Sequence, residues 1–204
     1  MTEFTITEQK IINAAREIFL EKGRDGARMH EIAERAGINK ALLHYYFRSK
    51  DKLHTEVFKK EIHSFFESLF SSIPETDNIQ ELIIQFINNY IERLAARPEL
   101  IRFIIWEIQQ GGNTLAEVLK NILANHGYSE FPLLKKIDEA ITTKKIRKAD
   151  PLQLTISIIG ICVYPFIAKP ILEKIFTNIQ IDSKEFQEER KAEVFDLIWM
   201  GIRP

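Results

Sequence analysis

The chain has 204 residues, 45% of them hydrophobic, and a formal net charge of -1, so no global charge draws it to nucleic acid or membrane. Its one cysteine, Cys162, excludes an internal disulfide and the usual Cys-rich zinc frameworks. Charge is mildly uneven: residues 1–54 carry ten Lys/Arg against eight Asp/Glu, and the remaining 150 carry eighteen against twenty-one.

The opening "MTEFTITEQK" lacks the basic-then-apolar pattern of a signal peptide. Glycine is scarce and no stretch alternates with period two, so the whole chain reads as helix. A first helix is expected from about Glu8 to Lys22, with Ile11, Ala15, Ile18 and Phe19 on one face and Gly23 suited to a left-handed stop. "GRDGA" reads as a turn. "MHEIAERAG" gives a short second helix with Ile32, Ala33 and Ala36 inward, and "INKALLHYYF" a third. "SKDKLHTEVFKKEIHSFFESLF" is a long fourth helix, opened by Ser49 as N-cap with Asp51 near its positive end.

Composition changes after "SSIPETDN". Helices are expected at about 79–96, 98–110, 114–125, 129–146, 151–177 and 183–202, with Pro98 and Pro151 as first-turn residues and "GGN" as a break. Pro165 and Pro170 should kink or divide the penultimate helix. Its apolar core, "ISIIGICVYPFIA", is about 13 residues, short of the roughly 18 needed to span a bilayer, and reads as a buried segment of a cytoplasmic protein.

The second and third helices hold the informative spacing. Ala33 sits four residues before Gly37, and Leu43 lies six beyond it. A small residue lets two helices cross closely, Gly permits the positive φ of a tight turn, and the apolar residue packs into the angle between them. An ordinary helical hairpin fits that spacing equally well. The third helix adds an outward face: with Leu43 and Phe47 inward, Lys40, Ala41, His44 and Tyr45 project outward and Tyr46 stands at the flank. Asn39 is a suitable N-cap, so the N-terminal turn leads. Lys, His and Tyr in the first two turns suit a major groove about 12 Å wide. Lys50, at the start of the fourth helix, can hold a phosphate with its charge and the nearby backbone amides.

Residues 8–58 resemble the N-terminal DNA-binding domain of the TetR family of one-component bacterial regulators. The resemblance runs through "IINAAREIFLEKG", "IAERAGINKALLHYYFRSKDKL" and the long helix that follows. It implies an all-α homodimer. An N-terminal three-helix helix-turn-helix head (1–54) would be joined by a long helix to an α-helical ligand-binding and dimerisation domain (55–204). Paired recognition helices would bind a palindromic double-stranded DNA operator, and a small effector would release it. By position, the resemblance assigns DNA contact to Arg28, His30, Asn39, Lys40, Ala41, Leu42, His44, Tyr45, Tyr46 and Lys50. Departures from the family pattern bear on the operator sequence. Arg28 stands where Thr or Ser is common, Ala41-Leu42 replaces Gly-Thr, His44 replaces the first Tyr, and Lys52 removes the capping box that Ser49 could close. His54, His63 and His126 read as isolated surface or loop residues, and no metal or cofactor is expected.

Eleven of the fourteen Phe lie beyond residue 50, with both Trp. These rings can fill a core or line a cavity. The resemblance favours an apolar or aromatic effector among Phe65, Phe66, Phe86, Tyr90, Phe103, Trp106, Ile159, Tyr164 and Phe166, with Arg102 and Glu107 as polar anchors. "LTISIIGICV" and "VFDLIWMGIRP" are broadly apolar, and Gly160 allows close helix approach. A second subunit would cover them through Ile156, Ile159, Val163, Phe195, Ile198 and Trp199. The leading reading is therefore a ligand-responsive transcriptional repressor, not an enzyme. The competing one is an all-α carrier of apolar ligands, or an enzyme, that keeps only a helical hairpin. No nucleophile elbow, phosphate loop or metal motif speaks for that second class.

Overall fold

Helix α1 (Ile6–Gly26) opens on a capping box: the Thr5 hydroxyl accepts from the Glu8 amide at 3.2 Å while the Glu8 carboxylate accepts from the Thr5 amide at 2.8 Å. The T-x-x-E signal was legible but moves the expected start forward by two residues. Gly23 is left-handed (φ 68°), and one further turn reaches Gly26 beyond it. The computed structural model describes residues 4–204 and continues with α2 (Met29–Arg35), α3 (Lys40–Tyr46), α4 (Lys50–Phe70), α5 (Ile79–Ala95), α6 (Pro98–Gln109), α7 (Asn113–Asn125), α8 (Pro132–Thr142), α9 (Pro151–Ile175) and α10 (Lys184–Ile202). There is no strand among the described residues, so the fold is all-α as expected. The chain divides within α4 into two compact units, Met1–His63 and Ser64–Pro204.

In the first unit α2 packs on α1 and α3 on α2. The core is Ile11, Ile18, Phe19, Ile32, Leu43 and Phe47, closed by Leu53, Val57, Phe58 and Ile62 of α4. Leu43 and Phe47 are buried as their spacing requires. His54 is not the surface residue expected. It is 3% exposed, edge-on to Phe19 at 4.9 Å, and burial, with the Arg24 charge adding, pushes its imidazole down to about 4. Its place on the buried i, i+4 stripe with Val57 and Phe58 outweighs its polarity.

In the second unit α5 and α9 are central: α5 meets α6, α8, α9 and α10, and α9 meets α6, α8 and α10 as well. Helix α8 is shorter than its sequence pattern suggests. Pro132 starts it, and it stops at Thr142 because Lys144 turns left-handed (φ 56°). Of the two outcomes expected at Pro165 and Pro170, a kink or a division, division does not occur: α9 runs unbroken through both. Pro165 lacks the N–H that would meet the Ile161 carbonyl, and Arg190 of α10 donates its Nη2 to that carbonyl at 2.9 Å. The hydrogen bond lost within the helix is replaced from a neighbour. At 25 residues α9 is also long and apolar enough to cross a membrane by length and composition alone, which the 13-residue run did not suggest; its buried residues, among them Ile158, Cys162 and Phe166, face this unit's core. Lys191, 8% exposed at its side chain, ties α10 to α5 through Glu92 at 2.6 Å and to Glu188 at 2.7 Å.

Candidate functional site

The turn between α2 and α3 is built as the small-residue and glycine spacing demands. Gly37 is left-handed (φ 68°), the Ile38 amide donates to the Ala33 carbonyl at 3.0 Å, and the Gly37 amide to the Glu34 carbonyl at 3.0 Å. Asn39 then caps α3, its Oδ1 accepting from the Leu42 amide at 2.8 Å. No side chain caps α2 at Arg28, so that guanidinium remains at the surface.

Most of the expected contact residues stand at the surface. Arg28, His30, Asn39, Lys40, Ala41, His44 and Tyr45 are exposed, while Leu42, Tyr46 and Lys50 are half-buried. Tyr45 is 78% exposed, with Tyr46 against it edge-on at 5.3 Å. Lys50 departs from its expected posture: its ammonium donates to the carbonyls of Asp25 at 3.3 Å and Ala27 at 3.2 Å, closing the end of α1. Arg24, unremarked in the sequence, bridges Asp25 at 2.9 Å and Asp51 at 2.6 Å and fixes the start of α4 against the same segment. The Ser49 hydroxyl caps α4 by accepting from the Lys52 amide at 3.1 Å, without the reciprocal half of a box.

The aromatic residues of the second unit come together differently. Phe65, Phe86, Tyr90, Phe103, Glu107 and Phe166 are buried, Phe66, Trp106 and Ile159 half-buried. Phe65 meets Phe66 at 5.1 Å and Tyr90 at 6.0 Å, and Tyr90 meets Phe86 at 5.6 Å, with burial pushing the Tyr90 phenol well above its ordinary range. Phe131 and Phe70, which the sequence did not single out, complete the cluster, 5.3 Å from each other. Tyr164 lies apart from it, 58% exposed on the outer face of α9. Glu107 is turned to the start of α7, where one carboxylate oxygen accepts from the amides of Thr114 at 2.6 Å and Leu115 at 3.2 Å. It does for α7 what Gly112 at the N-cap cannot. His126, expected to be isolated, lies 2.8 Å by its Nε2 from a Glu67 carboxylate oxygen on α4.

Of the residues expected to meet a second subunit, Ile156 is exposed, Ile159, Val163, Phe195 and Trp199 are half-buried, and Ile198 is buried within its own unit. Leu152, Ile167, Ile171 and Ile175 continue the exposed face of α9 at helical spacing, and Leu197 and Met200 are its counterparts on α10. That i, i+4 pattern is present in the sequence, and the expected interface residues cover only part of it.

Two family descriptions match this chain. "Bacterial regulatory proteins, tetR family" covers residues 11–57, and "Tetracyclin repressor-like, C-terminal domain" covers 80–198, more than half of the chain. The chain belongs to the TetR family. Members of this family are DNA-binding transcriptional regulators, and the first of the two matched regions spans the helix-turn-helix of α2 and α3. The probable HTH-type transcriptional regulator YttP of Bacillus subtilis (strain 168) is 26% identical over 124 residues, 60% of this chain and 60% of the relative. The fatty acid metabolism regulator protein of the same strain is 26% identical over 117 residues, 57% of this chain and 60% of that one. The matches thus span about three-fifths of those relatives' lengths. The crystal structure of a TetR-family regulator from Mesorhizobium loti MAFF303099 shares the fold with a TM-score of 0.70 at 22% identity, covering 97% of each chain.

Proposed function

We propose that this DNA-binding regulator acts in the cytoplasm as a homodimeric repressor, holding a palindromic operator until a small effector releases it. The observation that carries the reading is the exposure of the expected contact residues: seven of ten are exposed, four of them on α3 and led by Tyr45, and the N-terminal turn of that helix is capped by Asn39. Lys40, His44, Arg28 and His30 supply charge and polarity to phosphates and base edges, and Tyr45 and Tyr46 supply hydroxyls and ring faces. Lys50 contributes by holding the end of α1 beside the start of α4, and its positive charge adds to the same surface. The competing carrier reading is not favoured by the family match.

Dimerisation by α9 and α10 is supported by their uncovered apolar faces. Leu152, Ile156, Ile167, Ile171 and Ile175 would stand in water on a single chain, each leaving apolar area that a second copy would bury. Gly160 lies on the same face, and a Cβ built on it meets nothing within 4 Å, so a partner helix has room to approach there. A two-fold pair of heads would read half-sites about 34–36 Å apart. Effector binding, by favouring one of two dimer states, would shift the population away from DNA.

The test is a selection of bound sequences from random duplex DNA, with the purified protein at two salt concentrations. An enriched palindrome whose recovery falls at the higher salt is the expected result. No enrichment at either concentration would remove the repressor reading.

A further inference from the structure

A cleft in the second unit lies outside the aromatic cluster, between α8 and the segment that leads into α5. It has two adjoining lobes, of about 250 Å³ and about 450 Å³, which share Thr76, Asp77, Lys136 and Glu139 in their walls. The larger lobe alone lies within the size range of small-molecule sites. The floor is apolar: Ile79, Leu82 and Ala140 are buried beneath one lobe, and Pro132 beneath the other.

The walls carry both signs of charge, and only part of that charge is neutralised within the cleft. Lys136 pairs with Glu139 on its own helix at 3.5 Å, and the Lys145 ammonium donates to the Asp77 backbone carbonyl at 2.7 Å, not to its carboxylate. The carboxylates of Glu75 and Asp77 and the ammonium of Lys135 have no ion-pair partner among the described residues. A purely anionic ligand would meet two uncompensated carboxylates, and a purely cationic one would meet the lysines. A molecule bearing one of each, with an apolar side chain, satisfies both walls and the floor.

The cleft also has a physical connection to the helix that enters the DNA-binding unit. Tyr128 lines the larger lobe, and its ring stacks on His126 with centroids 5.8 Å apart and planes 9° from parallel. His126 in turn meets Glu67 of α4 at 2.8 Å and lies edge-on to Phe70 at 6.3 Å. A ligand that displaces Tyr128 therefore acts on α4 through one stacked ring and one polar contact.

We propose that this cleft binds a small zwitterion of the free amino-acid class with a large apolar side chain, and that its occupancy regulates operator binding through Tyr128, His126 and Glu67. The regulatory half rests on the repressor reading above; the binding half does not. The experiment is titration calorimetry of the full chain with L-phenylalanine, L-leucine, 3-phenylpropionate and phenethylamine, followed by operator affinity with and without the tightest probe. At least one amino acid should bind at least tenfold more tightly than either singly charged probe. Asp77→Asn should lower that affinity about tenfold, and so should Lys135→Ala. The bound amino acid should weaken operator affinity in the wild type, while His126→Gln should keep binding the amino acid and lose the effect on the operator. Equal binding of 3-phenylpropionate, or no binding of either amino acid at millimolar concentration, overturns the site. Binding without any change in operator affinity overturns its regulatory role. Failure to bind any operator in the absence of ligand would strike the repressor reading alone, since calorimetry decides the cleft independently.

Discussion

Arg190→Met tests how α9 survives Pro165. In the native chain the Ile161 carbonyl, deprived of its helical donor, accepts from the Arg190 guanidinium at 2.9 Å. Met keeps much of the aliphatic stem and removes the donor. Leaving this part-buried acceptor unsatisfied costs about 1–3 kcal/mol, and hydrogen bonds from charged donors are worth more than neutral ones. A loss of about 2 kcal/mol is expected, which at a urea dependence of about 2 kcal/mol per molar lowers the unfolding midpoint by about 1 M. The decisive control is Pro165→Ala, which returns an N–H to the Ile161 carbonyl. In that background the Arg190→Met loss should shrink by at least about 1 kcal/mol, a coupling that a double-mutant cycle resolves. Urea unfolding of the four proteins, followed by circular dichroism at one fixed protein concentration, measures it. Equal losses in the two backgrounds would refute the replacement of the missing helical bond and leave Arg190 as a packing residue only.

Lys40→Ala should reduce the slope of log operator affinity against log salt by about 1 per site, as for a phosphate contact. Lys50→Met should leave that slope nearer the wild-type value while lowering thermal stability, because its ammonium serves the Asp25 and Ala27 carbonyls; equal loss of slope would make it a phosphate ligand after all. Ile167→Glu, on the exposed face of α9, should shift sedimentation velocity profiles from dimer to monomer without changing helix content. His54 makes stability pH-dependent with a definite sign. Its folded imidazole titrates at about 4, below the unfolded value of about 6.5. Between those values only the unfolded chain takes the proton, so its contribution is full above about pH 6.5 and is lost as pH falls toward 4. The loss amounts to about 2–3 kcal/mol, and His54→Phe should flatten that part of the denaturation-midpoint profile.

Much of the head was legible because local rules sufficed. Ala33, Gly37 and Leu43 specify the turn by size and backbone freedom, Asn39 and Ser49 cap the helices that follow, and the spacing of Leu43 and Phe47 decides which side of α3 faces out. The site residues of the second unit were less legible. Tyr164 and Phe166 are two residues apart on α9, yet one is exposed and the other buried, because 100° per residue separates them and only the neighbours α5, α6, α8 and α10 decide which side is covered. Glu107 read as a surface charge or an effector anchor. It became a cap for α7 because the chain reverses at Gly111 and Gly112, both left-handed, and returns amides to it.

By itself, then, the sequence determined the helical fold, the helix-turn-helix and the face of α3 that meets solvent, since those follow from periodicity, caps and one glycine turn. Only the tertiary structure decided that His54 is buried, that Lys50 turns back to α1, that Arg190 replaces the hydrogen bond Pro165 removes, and that mixed charges gather around a cleft between α8 and the approach to α5. Each of those depends on groups from elements far apart in the chain. Which polar atom finds which partner is settled by packing, where an unpaired group costs more than any local preference returns.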